Sequence, residues 1–408
     1  MTTSDKNGNG RPSPETVLTH YGREPSDHLG FVNTPVFRGS TIIFKTLDEL
    51  DDYAAPYRYG RNDNPTARSV AAVISELEGA HGTLLAPSGL AAVTTALLGL
   101  LDAGDELLVS DSCYEPTRNF SRDTLKRLGI SVRFYDPRIG ADIASLITDK
   151  TKAIFVESPG SLTFEIQDLR AIAAAAQERD IFVLCDNSWA TPLYHRPLEL
   201  GADVVIHAGT KMFVGHSDTM FGTISTNERA WQRIAKAHRQ LGVTASPDDA
   251  FLVSRGLKTL AIRMKEHQAR ALELARWLEE QETVLQVLHP ALPSHPDHEI
   301  WKRDFTGSGS LFSVVLEPAP REAVAAMVDG FELFGMGYSW GGFESLCLPI
   351  HPEKIRTAVA WHRKGDMFRF HIGFEDINDL KADLKAALDR YRASNTWFKD
   401  GVATIPAE

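Results

Sequence analysis

The 408-residue sequence predicts an α/β protein in which a large, mostly parallel sheet domain precedes a smaller C-terminal α/β domain. From about residue 65 to 240, short β-branched runs alternate with helical patterns, as strands joined by crossover helices require. Several of these runs, IFVLC and VVIH among them, are apolar throughout, which strands covered on both faces need. The chain also exceeds the roughly 250–300 residues at which a single core stops growing, so a second unit is expected.

The expected strands of the large sheet are Thr83–Ala86, Glu106–Ser110, Ser131–Tyr135, Ala153–Glu157, Ile181–Cys185, Asp203–His207 and Gly222–Thr226. Helices fill the intervals at Thr66–Gly79, Leu90–Leu101, Glu115–Leu128 and Asp168–Glu178. Helical spacing of Leu252, Leu257, Leu260, Met264, Ala271, Leu274 and Leu278 predicts linking helices over 247–281. Strand-like LFSVVLE and FRFHIG then alternate with helical REAVAAMVDGF and INDLKADLKAALDRY. The boundaries that follow are 1–62 for an N-terminal arm, 63–255 for the large domain, and 256–408 for the linker helix and small domain.

Composition narrows the function. With 43% hydrophobic and 24% charged residues the chain reads as an ordinary globular protein, and no apolar run approaches the roughly 20 residues of a spanning helix. The start, MTTSDKNGNGRPSP, lacks a secretion signal and reads as a frayed polar tail, so a cytoplasmic protein is expected. Cys113, Cys185 and Cys347 form no CxxC pair, which suggests neither a disulfide framework nor a zinc site. A net charge of −11 disfavours nucleic acid as a partner and favours a small molecule. The histidines of 289–298 lie among prolines without helical spacing and read as a loop, not a metal site. The acidic run Asp48–Tyr53 reads as a solvated face.

Ligands of a doubly wound sheet collect at the carboxyl ends of its strands. After TLLA, Ser88, Gly89 and Leu90 open a helix whose free N–H groups suit a phosphate, although Ser88 could be a simple N-cap. Tyr114 follows ELLVS, where it could stack on a planar ring or merely pack. Asp186 follows a wholly apolar strand, where its charge needs a cationic partner such as a pyridinium nitrogen, or else caps local backbone. Lys211 follows DVVIH, where partial desolvation would make its amine a nucleophile and proton carrier. Each signal alone is weak; the weight comes from all four meeting at one sheet edge.

These residues resemble the cysteine and methionine metabolism enzymes that depend on pyridoxal 5′-phosphate (PLP). The resemblance centres on HAGTKMFVGHSDTMFG (His207–Gly222) and runs from YRYGRNDNPT (Tyr57–Thr66) to RFHIGFED (Arg369–Asp376). It implies the PLP-dependent transferase-like fold of aspartate aminotransferase, type I. It further implies that Lys211 carries PLP and moves protons, that Asp186 pairs with the ring nitrogen and that Tyr114 stacks on the ring. Ser88, Gly89, Leu90 and Thr210 would surround the phosphate, joined by Tyr59 and Arg61 of a neighbouring subunit. Arg369 would clamp the substrate carboxylate with Ser339, while Tyr338 and Trp340 line the pocket. The implied assembly is a homotetramer, a dimer of dimers with shared active sites.

Within the family, GMGYSWGGFESL (Gly335–Leu346) and VGHSDTM (Val214–Met220) are similar to members that cleave an amino-acid thioether at Cβ. Elimination or replacement at Cγ is the alternative, since the same residues serve both. His207 and Gly209 depart from the family pattern, and Asn119 stands where an Asp is often found near the distal ammonium of the substrate. A dehydrogenase is disfavoured because no GxGxxG follows a first strand. A non-catalytic relative is disfavoured because packing alone requires none of Lys211, Asp186, Tyr114 and Arg369.

Overall fold

The computed structural model describes residues 12–362, 365–399 and 402–403. Residues 1–11 of the expected polar tail lie outside the described residues, and a helix begins at Pro14.

Seven strands form the large sheet: β1 (Gly82–Ala86), β2 (Glu106–Ser110), β3 (Ser131–Tyr135), β4 (Thr151–Glu157), β5 (Phe182–Asp186), β6 (Val204–His207) and β7 (Gly222–Thr226). Their order is β1-β7-β6-β5-β4-β2-β3. Strands β2 to β6 run parallel, whereas β7 is antiparallel to both β1 and β6, so the sheet is mostly parallel, as the sequence predicts. Nothing in the run GTIST encodes direction: β7 returns from β6 by a loop, not a helix.

Alternate side chains explain why these strands are apolar on both faces. Leu107, Val109, Phe155, Leu184 and Ile206 pack with the helices Gly89–Leu100 and Glu228–Gln240. Leu108, Ile154, Val156, Val183 and Cys185 pack with the helix Leu169–Gln177 on the other side. Sequence order runs one way from β4 through β5 to β6 and the other way from β2 to β3. The gap between β4 and β2 is therefore the topological switch point, beyond which sheets of this kind hold their ligands in a crevice.

The predicted linker is two helices, Pro247–Leu257 and Leu260–Glu279. They lead to an antiparallel sheet of β8 (Val284–Leu288), β9 (Leu311–Leu316), β10 (Leu346–Ile350) and β11 (Asp366–His371) in the order β10-β11-β9-β8. The helices Leu260–Glu279, Arg321–Val328 and Ile377–Ser394 cover one face of it around Phe312, Phe368, Phe370 and Tyr391.

The predicted helix from Glu115 changes character early, being α-helical to Asn119 and π-helical over Phe120–Leu125. The acidic run becomes the short exposed helix Leu47–Asp51. His289 and His295 are buried in a loop, and His298 starts the helix His298–Asp304. All three cysteines are buried and unpaired.

Candidate active site

Ser88, Tyr114, Asp186 and Lys211 each lie just beyond or at the end of a strand of the large sheet, whereas Ser339 and Trp340 come from the loop before β10 and Arg369 from β11 itself. Ser88 caps the helix Gly89–Leu100, its Oγ accepting the Ala91 N–H at 3.1 Å. The amides of Gly89 and Leu90 stand at the start of that helix, where backbone donors have no intrahelical acceptor. The turn is wedged tightly: a Cβ on Gly89 would lie 2.6 Å from the Ala208 Cβ, and one on Gly222 would lie 2.1 Å from the Ser88 carbonyl oxygen. This cradle packs against the loop that carries Lys211.

Thr210 fixes that loop to β7, its hydroxyl donating to the Phe221 carbonyl at 3.1 Å and accepting the Phe221 N–H at 2.8 Å. The Lys211 ε-amine donates to Ser339 Oγ at 2.6 Å and sits 5.6 Å from the Trp340 ring centroid. Burial, then the neighbouring Arg369 charge, lower the Lys211 pKa to about 8. Arg369, on β11, donates to the Ser339 carbonyl at 3.1 Å. The segment from Ser339 to Gly342 is held by the Gly341 N–H, which donates to His371 Nε2 at 3.1 Å. Gly341 has φ +90°, and a Cβ there would lie 2.8 Å from the Lys211 carbonyl carbon, so only glycine permits this approach.

Asp186 ends β5, and its Oδ1 accepts the Ser188 N–H at 2.9 Å. Burial raises its pKa, opposed by Ser188, His207 and Lys211. Tyr114, after β2, is half exposed to the crevice; burial of its phenol, then Glu157 and Asp186, push its pKa up. Lys211, Asp186, Tyr114, Ser339, Trp340 and Arg369 thus gather beyond the carboxyl ends of β2, β5 and β6. Tyr338 stands on the same segment, almost fully exposed.

Other expected residues lie elsewhere in the chain. Arg61 donates to the Arg239 carbonyl at 3.2 Å and lies 5.8 Å from the ring centroid of the exposed Tyr59. Asn119 closes the short helix after Tyr114 and is part-buried. His207, off the family pattern, is buried in a 2.5 Å contact with Glu78.

One polar strand end has no assignment from the sequence. Glu157 ends β4 as Asp186 ends β5, and the two are register partners. Its Oε2 accepts the Tyr114 N–H at 2.7 Å. The signal was available: AIFV followed by a carboxylate repeats the pattern that singled out Asp186.

The residues fit PLP. The donor set offers backbone amides and hydroxyls for a phosphate, an amine of lowered pKa for an aldehyde, a carboxylate for a ring nitrogen and a guanidinium for a substrate carboxylate.

Comparison with known proteins gives the same answer. The family model for Cys/Met metabolism PLP-dependent enzymes matches residues 15–389. A Rhizobium johnstonii protein provisionally named a cystathionine β-lyase is 47% identical over 374 residues, 91% of this chain and 94% of that one. The Escherichia coli cystathionine β-lyase is 41% identical over 388 residues, 92% and 98% of the two chains. A Wolbachia pipientis L-alanine/L-glutamate racemase is 40% identical over 398 residues, 94% and 98% of the two chains. The crystal structure of a Lactobacillus plantarum cystathionine γ-lyase complexed with L-serine superposes with TM-score 0.86 at 29% identity, covering 93% of this chain and 100% of that one.

Proposed function

The chain belongs to the Cys/Met metabolism PLP-dependent enzymes, and from that premise we propose that it is a carbon–sulfur lyase that eliminates at Cβ of L-cystathionine, yielding homocysteine, pyruvate and ammonia. Cysteine and cystine are expected as further substrates. The observation that carries the proposal is the meeting of the Lys211 amine with Ser339, Trp340 and Arg369 in one crevice.

Ser88, Gly89, Leu90 and Thr210 would hold the phosphate of PLP, Lys211 would bind its aldehyde carbon, and Asp186 would face its ring nitrogen beneath Tyr114. Bound there, PLP supplies an electron sink for charge developing at Cα.

The chain's own residues do the rest. Arg369 pairs with the substrate α-carboxylate and so aims the Cα–H bond. Lys211, its pKa lowered to about 8, takes that proton and can return it to the departing sulfur. Ser339, bonded to Lys211 through its hydroxyl and to Arg369 through its carbonyl, keeps the two groups in register. Trp340 and Tyr338 wall the thioether side, and Trp340 is the reason for preferring Cβ over Cγ.

The active unit is proposed to be a dimer within a homotetramer, in which Tyr59 and Arg61 reach the neighbour's phosphate site. In support, residues 29–59 expose Leu29, Phe31, Val32, Ile43, Leu47 and Tyr53, an apolar stretch suited to burial against a second copy. A cytoplasmic location is proposed with it, in keeping with three reduced cysteines.

Incubation of the purified protein with L-cystathionine tests the reaction. Pyruvate is the expected keto acid, whereas 2-oxobutyrate would replace this assignment with γ-elimination. The racemase relative supports a second reading, because a proton removed by Lys211 can return to either face of Cα. Formation of D-alanine from L-alanine without thioether cleavage would favour that reading.

A further inference from the structure

Glu157 and Asp186 end adjacent parallel strands as register partners, so their backbones stand about 5 Å apart and their side chains leave the same face. Both are part-buried at the floor of the crevice. Their surroundings differ. Asp186 accepts the Ser188 N–H at 2.9 Å and lies in the field of Lys211. The carboxyl of Glu157 accepts the Tyr114 N–H at 2.7 Å, and among the described residues it makes no ion pair.

The titratable groups near Glu157 are Asp186 from β5, Cys185 on the opposite face of that strand, and Cys113 and Tyr114 from the turn after β2. None is a cation. Two carboxylates so close in a desolvated floor cannot both stay ionised cheaply, and the one without positive neighbours keeps the proton. Burial, then Asp186, push the Glu157 carboxyl well above the usual range. A protonated carboxyl still has a carbonyl oxygen to accept the Tyr114 N–H.

We propose that Glu157 is a positioning residue that acts as a neutral acid: it pins the Tyr114 backbone across the gap between β4 and β2, and it leaves Asp186 as the sole anion facing the ring nitrogen. The idea rests on the placement of Asp186 given above, and the two can fail separately.

The tests compare Glu157→Gln, which keeps an acceptor for Tyr114 but cannot ionise, with Glu157→Ala, which loses both properties. Asp186→Ala serves as the separate control. The first readout is unfolding of the PLP-free protein between about pH 5 and about pH 8. A carboxyl whose folded pKa is raised gives stability that is complete below its unfolded value, about 4.3, and lost as pH climbs toward the folded one. Glu157→Gln escapes that loss. It should therefore gain on the wild type as pH rises, by up to about tenfold in the unfolding equilibrium constant per pH unit.

In the PLP-loaded enzyme, kcat/KM should fall less than about threefold in Glu157→Gln and more than about tenfold in Glu157→Ala, because Tyr114 shifts only in the latter. A stability gap that is flat or shrinks with pH overturns the proposal, as does a Gln variant as impaired as the Ala variant; either result would make Glu157 a working anion. Wild-type PLP affinity in Asp186→Ala would overturn the placement of Asp186 alone, and the pH-dependent gap would still decide Glu157.

Discussion

The Lys211 ε-amine and the Ser339 hydroxyl are 2.6 Å apart, and the Ser339 carbonyl holds Arg369 at 3.1 Å. One serine thus couples the proton-carrying amine to the guanidinium proposed to receive the substrate carboxylate. Ser339 has φ +73°, a left-handed backbone that directs its hydroxyl and carbonyl to these two partners.

That coupling predicts a pH signature. Only the neutral amine attacks an aldehyde, so capture of PLP by the PLP-free protein, followed by its visible absorption band, should speed up as pH rises through about 8. Burial is the main cause of the lowered value and Arg369 the next. Arg369→Gln should therefore raise the Lys211 pKa and move the profile to higher pH, while Lys211→Ala should show no band at any pH.

Arg369→Ala should also cost substrate binding. Removing one partner of a hydrogen-bonded charge pair costs 2 kcal/mol or more, which is about thirtyfold in kcat/KM for L-cystathionine. The effect should fall mainly on KM. Steady-state kinetics on protein saturated with PLP measures it.

Shared active sites predict complementation. Lys211→Ala and Arg61→Ala are each expected to be impaired at limiting PLP. When the two are refolded together, half of the dimers are mixed and each mixed dimer has one intact site, so about a quarter of wild-type activity should return. No recovery would mean that Arg61 serves its own chain, in which it lies beside Arg239.

Substrate preference should respond to Asn119→Asp. A new carboxylate near a distal ammonium contributes at most about 1 kcal/mol at a part-exposed position, so kcat/KM for L-cystathionine should rise about two- to fivefold relative to S-ethylcysteine, which lacks that ammonium. An equal change for both substrates would place Asn119 away from the distal end.

Stability should depend on Asp111, which is fully buried with Arg118. Its Oδ2 accepts the Ala358 and Val359 N–H groups at 2.9 and 3.0 Å, tying the segment between β10 and β11 to the helix after Tyr114. Burial raises the Asp111 pKa, but the Val359 amide, Arg118 and the Thr357 amide outweigh it, and the net shift is downward. Its stabilisation is thus present above the unfolded value of about 3.9 and lost as pH falls toward the folded one. Asp111→Asn should cost about 3–5 kcal/mol at neutral pH by stranding Arg118, and less in acid. Denaturant unfolding at two pH values checks both statements.

The strand mouths were legible because physics marks them twice, by an apolar run and by a polar residue that ends it. Lys211, Asp186 and Tyr114 were found in this way. Glu157 carries the same mark, yet its run reads only as the strand Ala153–Glu157. Strand β10 was missed because Pro349 argues against a strand interior, and the structure places it at the sheet edge, where proline is tolerated. The direction of β7 and the π-turn after Asn119 leave no trace in hydrophobic periodicity. Nor can spacing say whose site Tyr59 and Arg61 serve, since that depends on a second chain.

The sealed cysteines bear on the proposed chemistry. A lyase that releases homocysteine works in a solution of its own mercaptan, and with cystine it handles a disulfide outright. Burial pushes the sulfhydryls of Cys113, Cys185 and Cys347 up, away from the anionic form that exchanges with disulfides. The catalyst therefore presents no thiol of its own to be captured by what it consumes or discharges.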